Sequence, residues 1–160
     1  MARPTVFASF GSKPALLKEV LDQALAGDDE PVPVAQRPWF RPVWDAGTPG
    51  QVLDAYADVC TLIGARAGHL FEVVRRAADD APEIAQLWQS TQDNRRAGAK
   101  MVIDRLDRDV LALPPSRATD VLWLFNDPAA YVALVEQRGW AKRKFAHWLA
   151  STMRAGILKA

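Results

Sequence analysis

The chain has 160 residues, 49% hydrophobic and 24% charged, which is enough to bury the core of one globular domain. Its 20 basic and 19 acidic residues give a formal net charge of +1, so its overall charge does not attract nucleic acid. The single cysteine, Cys60, excludes an intramolecular disulfide and a cysteine-ligated metal cluster. Because the sequence has neither an apolar run of about 18 residues nor a signal-peptide layout, we expect a cytoplasmic protein without a membrane span.

The first residues predict two helical segments that meet at a glycine. Pro4 is suited to the first turn of a helix, and Gly11 can end that helix in a left-handed conformation. Ser12 is a predicted N-cap for a second helix over residues 13–26. That helix carries apolar residues at helical spacing: Leu16, Leu17, Val20, Leu21 and Leu25.

The middle of the chain alternates between a proline-rich segment and long helical patterns. Residues 27–38 contain prolines and an acidic run, which predict a surface loop or an extended linker. Residues 39–44 predict one or two helical turns packed on the body. From Pro49 to Val74 the apolar positions recur every three or four residues, so we expect a long helix. Gly64 and Gly68 favour close helix packing there, with a break or bend nearby.

Further helices are predicted in the second half of the chain. One begins at Pro82, one is capped by Ser116, one runs from Asp127 to about Gln137, and the last covers about 141–158. No alternating strand pattern of any length occurs, so the predicted fold class is all-α.

The N-terminal junction resembles the TetR family of bacterial transcriptional regulators. In that family the recognition helix ends in a T-x-Y/F-x-x-F-x-s-K pattern, which Thr5, Phe7, Phe10, Ser12 and Lys13 match here. The segment 120–153 is similar to the C-terminal dimerisation region of many members. The resemblance implies a remnant of the DNA-binding head over residues 1–12, and a linking helix with a ligand-binding and dimerisation domain over 13–160.

The resemblance also implies which residues contact DNA. Carried over by position, Arg3 and Thr5 would face the groove, Phe7 stands where many members have tyrosine, and Lys13 would reach a phosphate. A helix-turn-helix needs a supporting helix before its recognition helix, and three residues precede Pro4. A mis-assigned start, a trimmed chain and a natural headless paralogue all fit this N-terminus.

Two features of the sequence predict a pocket for a small-molecule effector. A polar belt that includes Thr91 and Arg95 interrupts an apolar helical face, and buried polar groups need partners. His69 lies near the expected bend of the long helix. The predicted ligand-binding residues are Tyr56, Cys60, His69, Trp88, Thr91, Arg95 and Trp123. A solvated polar face and a core histidine are the alternatives.

The aromatic residues in the last third of the chain predict a homodimer. Two amphipathic helical sections carry more aromatic area than one small core needs, and two-fold dimers commonly bury such faces. The family resemblance implies a four-helix bundle between two subunits. The predicted interface residues are Trp123, Tyr131, Leu134, Phe145, Trp148, Leu149, Thr152 and Met153. Packing of all of them inside one chain is the alternative.

The sequence lacks the patterns of common catalytic sites. His69 and His147 do not have metal-ligand spacing, and neither a phosphate-binding glycine loop nor a nucleophile elbow occurs. We therefore expect no enzyme, no metal and no cofactor. The predicted function is a TetR-like regulator, more often a repressor in that family, whose operator DNA binding depends on an effector. The alternative is a headless ligand-binding or dimerisation module.

Overall fold

A computed structural model of the protein describes residues 11–160, and this part of the chain is all-α, as predicted. Its only β-type pairing is an isolated bridge between Leu111 and Leu158. The α-helices are α1 (Lys13–Ala26), α2 (Arg41–Asp45), α3 (Pro49–Ala78), α4 (Pro82–Asp104), α5 (Pro115–Phe125), α6 (Pro128–Tyr131) and α7 (Lys142–Ile157). Short 3₁₀ turns cover Val34–Gln36, Pro38–Phe40 and Arg108–Val110.

Helix α1 begins and ends as its sequence predicts. The Ser12 hydroxyl accepts a hydrogen bond from the Ala15 amide at 3.3 Å, which satisfies one of the free donors of the first turn. Gly27 follows the helix with φ of 89° and donates its amide to the Gln23 carbonyl. Gly11 has φ of 78°, the left-handed conformation expected of it.

The proline-rich segment after α1 is held by one buried arginine. The Arg37 side chain donates to the Val32 carbonyl at 2.9 Å, to the Glu30 carbonyl at 2.6 Å and to both carboxylate oxygens of Asp28 at 2.7 Å. The segment is therefore a surface loop whose conformation is stabilised by the hydrogen bonds of Arg37. The helical turns predicted over 39–44 are confirmed by the 3₁₀ turn that precedes α2 and by α2 itself.

Helix α3 is the centre of the fold and packs against α1, α2, α4, α6 and α7. It runs without a break, so the predicted break near Gly64 and Gly68 is wrong. The prediction of close packing at these glycines is confirmed. A Cβ on Gly64 would lie 2.5 Å from Cβ of Tyr131, and one on Gly68 would lie 2.7 Å from Cγ2 of Val132.

The C-terminal third differs from its prediction at two helix boundaries. Helix α5 begins at Pro115 after Pro114, so Ser116 lies inside the first turn and does not cap it. After α6 the chain continues as a π-helical turn over Val132–Gln137, which the sequence pattern did not indicate. The end of α7 is tied to the α4–α5 connection. The Ala112 amide donates to the Ile157 carbonyl, and the Lys159 amide donates to the Val110 carbonyl, both at 2.9 Å.

The buried apolar residues form two clusters. The main core lies between α3, α4, α5, α6 and α7. A smaller cluster, called the α1 cluster below, packs α1 on α3 and α4; its buried members are Leu21, Ala67, Phe71, Val74 and Ile84, and Trp88 packs against it. No helix within residues 11–160 is long and apolar enough to cross a membrane.

Candidate ligand-binding site

Four of the predicted ligand-binding residues meet in a buried polar network between α3, α4 and the end of α5. Tyr56 and Cys60 lie one turn apart on α3, and both are buried. Arg95 of α4 reaches the end of α5, where its Nη2 donates to the Trp123 carbonyl at 2.9 Å. The Arg95 guanidinium also lies 5.5 Å from the centre of the Trp123 ring, within range of a cation–π interaction.

Asn126 joins the two halves of this network. Its Nδ2 donates to the Tyr56 hydroxyl at 2.9 Å and to the Arg95 carbonyl at 3.2 Å. The site prediction missed Asn126, because a residue just past a helix end has no periodic pattern that places it on a buried face. We call the set Tyr56, Cys60, Gln92, Arg95, Trp123, Asn126 and Asp127 the polar network.

The Arg95 side chain, only 9% exposed, is the central charge of the polar network. Its Nη1 donates to Gln92 Oε1 at 2.5 Å and lies 3.5 Å from Oδ2 of Asp127. Burial lowers the pKa of the guanidinium, and the Asp127 carboxylate opposes this shift. Gln92 and Asp127 were also missed, although Gln92 lies one turn from Trp88 and from Arg95 on α4.

Burial also keeps Tyr56 and Cys60, the two weakly acidic residues that α3 contributes to the polar network, in their neutral forms. It raises the pKa of the Cys60 thiol to about 12. It raises the pKa of the Tyr56 phenol far above its usual value, and the hydrogen bond from Asn126 opposes that shift. Neither group is therefore an activated nucleophile or base near neutral pH.

Several polar atoms of this region are buried without a hydrogen-bond partner among residues 11–160. Three are N–H donors, namely Gln92 Nε2, Arg95 Nε and Trp123 Nε1. Asn126 Oδ1 and the Tyr131 hydroxyl complete the group. Such atoms are costly to bury, and buried polar groups of folded proteins usually have a partner.

A cavity of about 150 Å³ lies beside the polar network, between α3, α4 and the segment that follows Asn126. It shares Asp127 with the network, and Trp88 lies one turn before Gln92 on α4. The residues that line it are Gly68, Phe71, Glu72, Arg75, Trp88, Asp127, Ala129, Val132, Ala133 and Gln137. The sequence-based prediction placed Trp88 at a pocket wall, and Trp88 does line this cavity.

The remaining two predicted ligand-binding residues lie elsewhere. Thr91 is buried, but its hydroxyl donates to the Leu87 carbonyl at 2.8 Å, within its own helix. His69 is not among the residues that line the cavity. Its side chain is 69% exposed and pairs with Glu136 at 3.4 Å. Because α3 is unbroken, Gly68 and Phe71 take the inward positions, and His69 points outward.

Half of the predicted dimer residues belong to the interior of the chain itself. Four of them are at most 1% exposed and pack in the main core: Tyr131, Phe145, Leu149 and Met153. The prediction that these four residues contact a second subunit is therefore wrong. The helical pattern shows that a face is apolar, but it does not show which partner covers that face. The other four are only partly buried: Trp123, Leu134, Trp148 and Thr152.

Two further results concern the predicted DNA contacts and the placement of metal-ligating residue types. Arg3, Thr5 and Phe7 lie outside the described residues, whereas Lys13 is exposed at the first position of α1. Among residues 11–160, no group of three or more His, Cys, Asp or Glu side chains is placed to hold a metal ion.

The chain was compared with protein-family models, with curated proteins and with solved structures. None of the three comparisons gave a match.

Proposed function

We propose that the protein is a TetR-like transcriptional regulator whose helical body binds a small effector beside the polar network. One observation carries this proposal: Phe71 and Trp88 both line the cavity and belong to the α1 cluster. Their rings contact each other edge to face, with centroids 6.4 Å apart. A molecule in the cavity therefore touches the side chains that position α1, the helix that the family resemblance makes the link to DNA.

A second contact supports the coupling of α3 to α1. The Arg66 side chain donates to the carbonyl of Ala26, the last residue of α1, at 3.4 Å. Its guanidinium lies 5.3 Å from the centre of the Trp39 ring. A movement of α3 would therefore displace α1 both at its C-terminal end and along its apolar face. An effector that favours one position of α1 shifts the equilibrium between DNA-binding states.

The proposed homodimer uses the outer faces of α5 and α7, consistent with the family resemblance. Leu124 of α5 is 63% exposed, the largest exposure among the exposed large apolar side chains of residues 11–160. The helices approach each other closely at Gly156, where an added Cβ would lie 3.3 Å from the Phe125 ring. The two helices therefore lie side by side, and a second copy could cover both in a two-fold dimer.

Fluorescence anisotropy with labelled DNA from the promoter region of the gene tests the proposal. The 160-residue chain and a chain lengthened in frame at its N-terminus are titrated over a salt series. Sequence-specific binding with a steep salt dependence supports the regulator. If neither chain binds, the alternative of a ligand-binding or dimerisation module without DNA binding replaces it.

A further inference from the structure

We infer that the start of α7 is a DNA-binding surface of its own, which contacts the phosphate backbone of duplex DNA without reading its sequence. Its cations are four exposed residues that we call the α7 basic surface: Arg138, Lys142, Arg143 and Lys144. None of these residues belongs to the N-terminal contacts that the family resemblance implies. The inference therefore goes beyond the proposed function and does not depend on an effector.

The charge of the chain is divided unequally along the sequence. Residues 138–160 contain six of the 20 basic residues and none of the 19 acidic ones, so this segment has a formal charge of +6. Residues 1–137 then contain 14 basic and 19 acidic residues, which gives a formal charge of −5. The overall charge of +1 therefore hides a local positive field, and a local field of this kind attracts polyanions.

The four cations of the α7 basic surface are not neutralised within the described part of the chain. The other two basic residues of this segment do have partners: Arg154 pairs with Asp54, and the Lys159 ammonium donates to the Asp109 carbonyl at 2.7 Å. In contrast, no ion pair among residues 11–160 includes a member of the α7 basic surface. Its charge is therefore available to a partner molecule.

Helix stability does not explain where these charges lie. Lys142, Arg143 and Lys144 occupy the first turn of α7, where the helix dipole favours acidic residues, and this turn contains none. Ala141 precedes the helix and provides no side-chain cap. Departures from the local rules of helix formation are expected mainly at functional sites, so this turn is a candidate for one.

The residues around the start of α7 hold the surface in a defined shape. The amides of Arg138, Gly139 and Trp140 donate to carbonyls of the π-helical turn at 3.1, 3.1 and 2.9 Å. The Trp140 ring then contacts Trp148 edge to face, with centroids 5.9 Å apart, and the Lys144 ammonium lies 5.1 Å from its centre. Cations in defined positions lose less conformational entropy on binding than cations on a free loop.

The apolar side chains near the surface favour duplex DNA over a membrane or a single strand. Phe145 and Leu149 of α7 are 1% exposed in the main core, so the apolar face of this helix is not free to enter lipid. Trp140 and Trp148 are only partly exposed and contact each other, which makes them poor platforms for stacked bases. The surface therefore offers cations alone, and these match the regular phosphates of a duplex.

Fluorescence anisotropy with labelled duplexes of two sequences unrelated to the promoter tests the inference. We expect the 160-residue chain to bind both equally, with a slope of about −2 to −4 for log affinity against log salt, because two to four phosphates are neutralised. Absence of binding at about 50 mM salt overturns the inference. Tighter binding of single-stranded DNA, or of vesicles of phosphatidylserine and phosphatidylcholine, overturns the assignment to duplex DNA.

A variant of the surface provides the second arm. The triple variant Lys142→Gln, Arg143→Gln and Lys144→Gln should weaken duplex binding at least about tenfold at low salt and bring the salt slope close to zero. It should be at least as stable as the parent chain in denaturant unfolding, because removing cations from the first turn relieves their repulsion from the helix dipole. A loss of affinity would then not be due to unfolding, and unchanged affinity overturns the inference.

The matched control removes the same charge from exposed residues elsewhere. Arg41→Gln, Lys100→Gln and Arg108→Gln together should leave duplex binding within about threefold of the parent chain, because these residues lie outside the α7 basic surface. Equal weakening by both triple variants would mean that overall charge is responsible, which overturns the inference. Failure of the proposed function is seen separately, as a lengthened chain that binds promoter DNA no better than unrelated duplexes.

Discussion

Gly64 and Tyr131 are in such close contact that a single methyl group does not fit between them. A Cβ at position 64 would lie 2.5 Å from Cβ and 2.6 Å from Cγ of Tyr131. The Tyr131 Cβ is fixed to the backbone of α6, so a rotamer change cannot move it away. The spacing between α3 and α6 is therefore set by the absence of a side chain at Gly64.

The first prediction follows from this contact. Gly64→Ala should lower the free energy of unfolding by about 1–3 kcal/mol, because α3 and α6 must separate. Gly98→Ala is the matched control: Gly98 also lies inside a helix, and an added Cβ there has nothing within 4 Å. This control should raise the free energy of unfolding by about 0.5–1 kcal/mol. Denaturant unfolding followed by circular dichroism measures both, and equal effects would contradict the packing argument.

The second prediction concerns the loop that Arg37 fastens. Arg37→Lys should destabilise the protein by about 1–3 kcal/mol, since an ammonium group cannot replace the forked contacts of a buried guanidinium. Limited proteolysis should then cut within residues 27–36. Arg41→Lys is the control, because Arg41 forms an exposed pair with Asp45 and should change stability little. An uncut loop in Arg37→Lys is the contrary result.

The same loop should respond to acid. The hydrogen bond from Arg37 holds the pKa of Asp28 below its usual value. The stabilisation from this pair is therefore present above the ordinary carboxyl range and is lost as the pH falls through the lowered pKa. The protection factors of the amides in residues 28–32, which correct for the intrinsic pH dependence of exchange, should fall only below that range.

The third prediction concerns Cys60. With a pKa of about 12 in the folded chain, its thiol should not react with a thiol reagent until the protein unfolds. Below the unfolded-state pKa of about 8.5 the Cys60 thiol is protonated in both the folded and the unfolded chain. The free energy of unfolding is then not reduced by ionisation of this thiol. It should fall as the pH rises from there toward 12. Cys60→Ala should show a shallower loss of stability above pH 9, measured by denaturant unfolding; an identical pH profile would contradict the assignment.

The fourth prediction concerns the bond between Asn126 and Tyr56. Asn126→Ala should cost about 1–3 kcal/mol, because the Tyr56 hydroxyl and the Arg95 carbonyl lose a donor in a buried place. Tyr56→Phe alone should cost less, since the amide keeps its bond to the Arg95 carbonyl. A double-mutant cycle measures their coupling, which should exceed about 0.5 kcal/mol. Additive effects would mean that the two residues do not act together.

The fifth prediction tests the proposed dimer. Leu124→Glu should convert a dimer to monomers in sedimentation velocity, because it places a charge in the centre of the proposed apolar interface. Val73→Glu is the control, since Val73 is also an exposed apolar residue, 51% accessible, but lies on α3. Dissociation by Val73→Glu alone would place the interface on another face, and a monomeric parent chain would remove the dimer from the proposal.

Local sequence signals predicted much of the fold. Ser12 and Pro82 mark helix starts by backbone chemistry that acts within a few residues, and their predicted roles hold in the structure. The π-helical turn after Tyr131 packs against α3, where Val132 meets Gly68, and no local sequence pattern predicted it.

The candidate site was predictable only in part. The helical periodicity places Tyr56, Cys60 and Arg95 on the same faces as apolar neighbours. This pattern was sufficient to predict that the three residues lie in one site. Asn126 and Asp127 enter the network because α5 ends beside α4, which is a long-range relationship. The prediction for His69 depended on a break or bend of α3, and the continuous helix leaves this side chain on the outer surface.

The hydrogen bonds that join Ala112 to Ile157 and Lys159 to Val110 close residues 110–159 into a ring. Helices α5 and α7 both lie within this closed segment. Moving the C-terminal end of α7 away from the connection before α5 would break the two hydrogen bonds. Fraying from the C-terminal end, which is common in chains whose last helix is unattached, must first break these two bonds. For the dimer proposed through α5 and α7, these two bonds limit the movement of the paired surface, so pairing should cost less conformational entropy than it would with an unattached last helix.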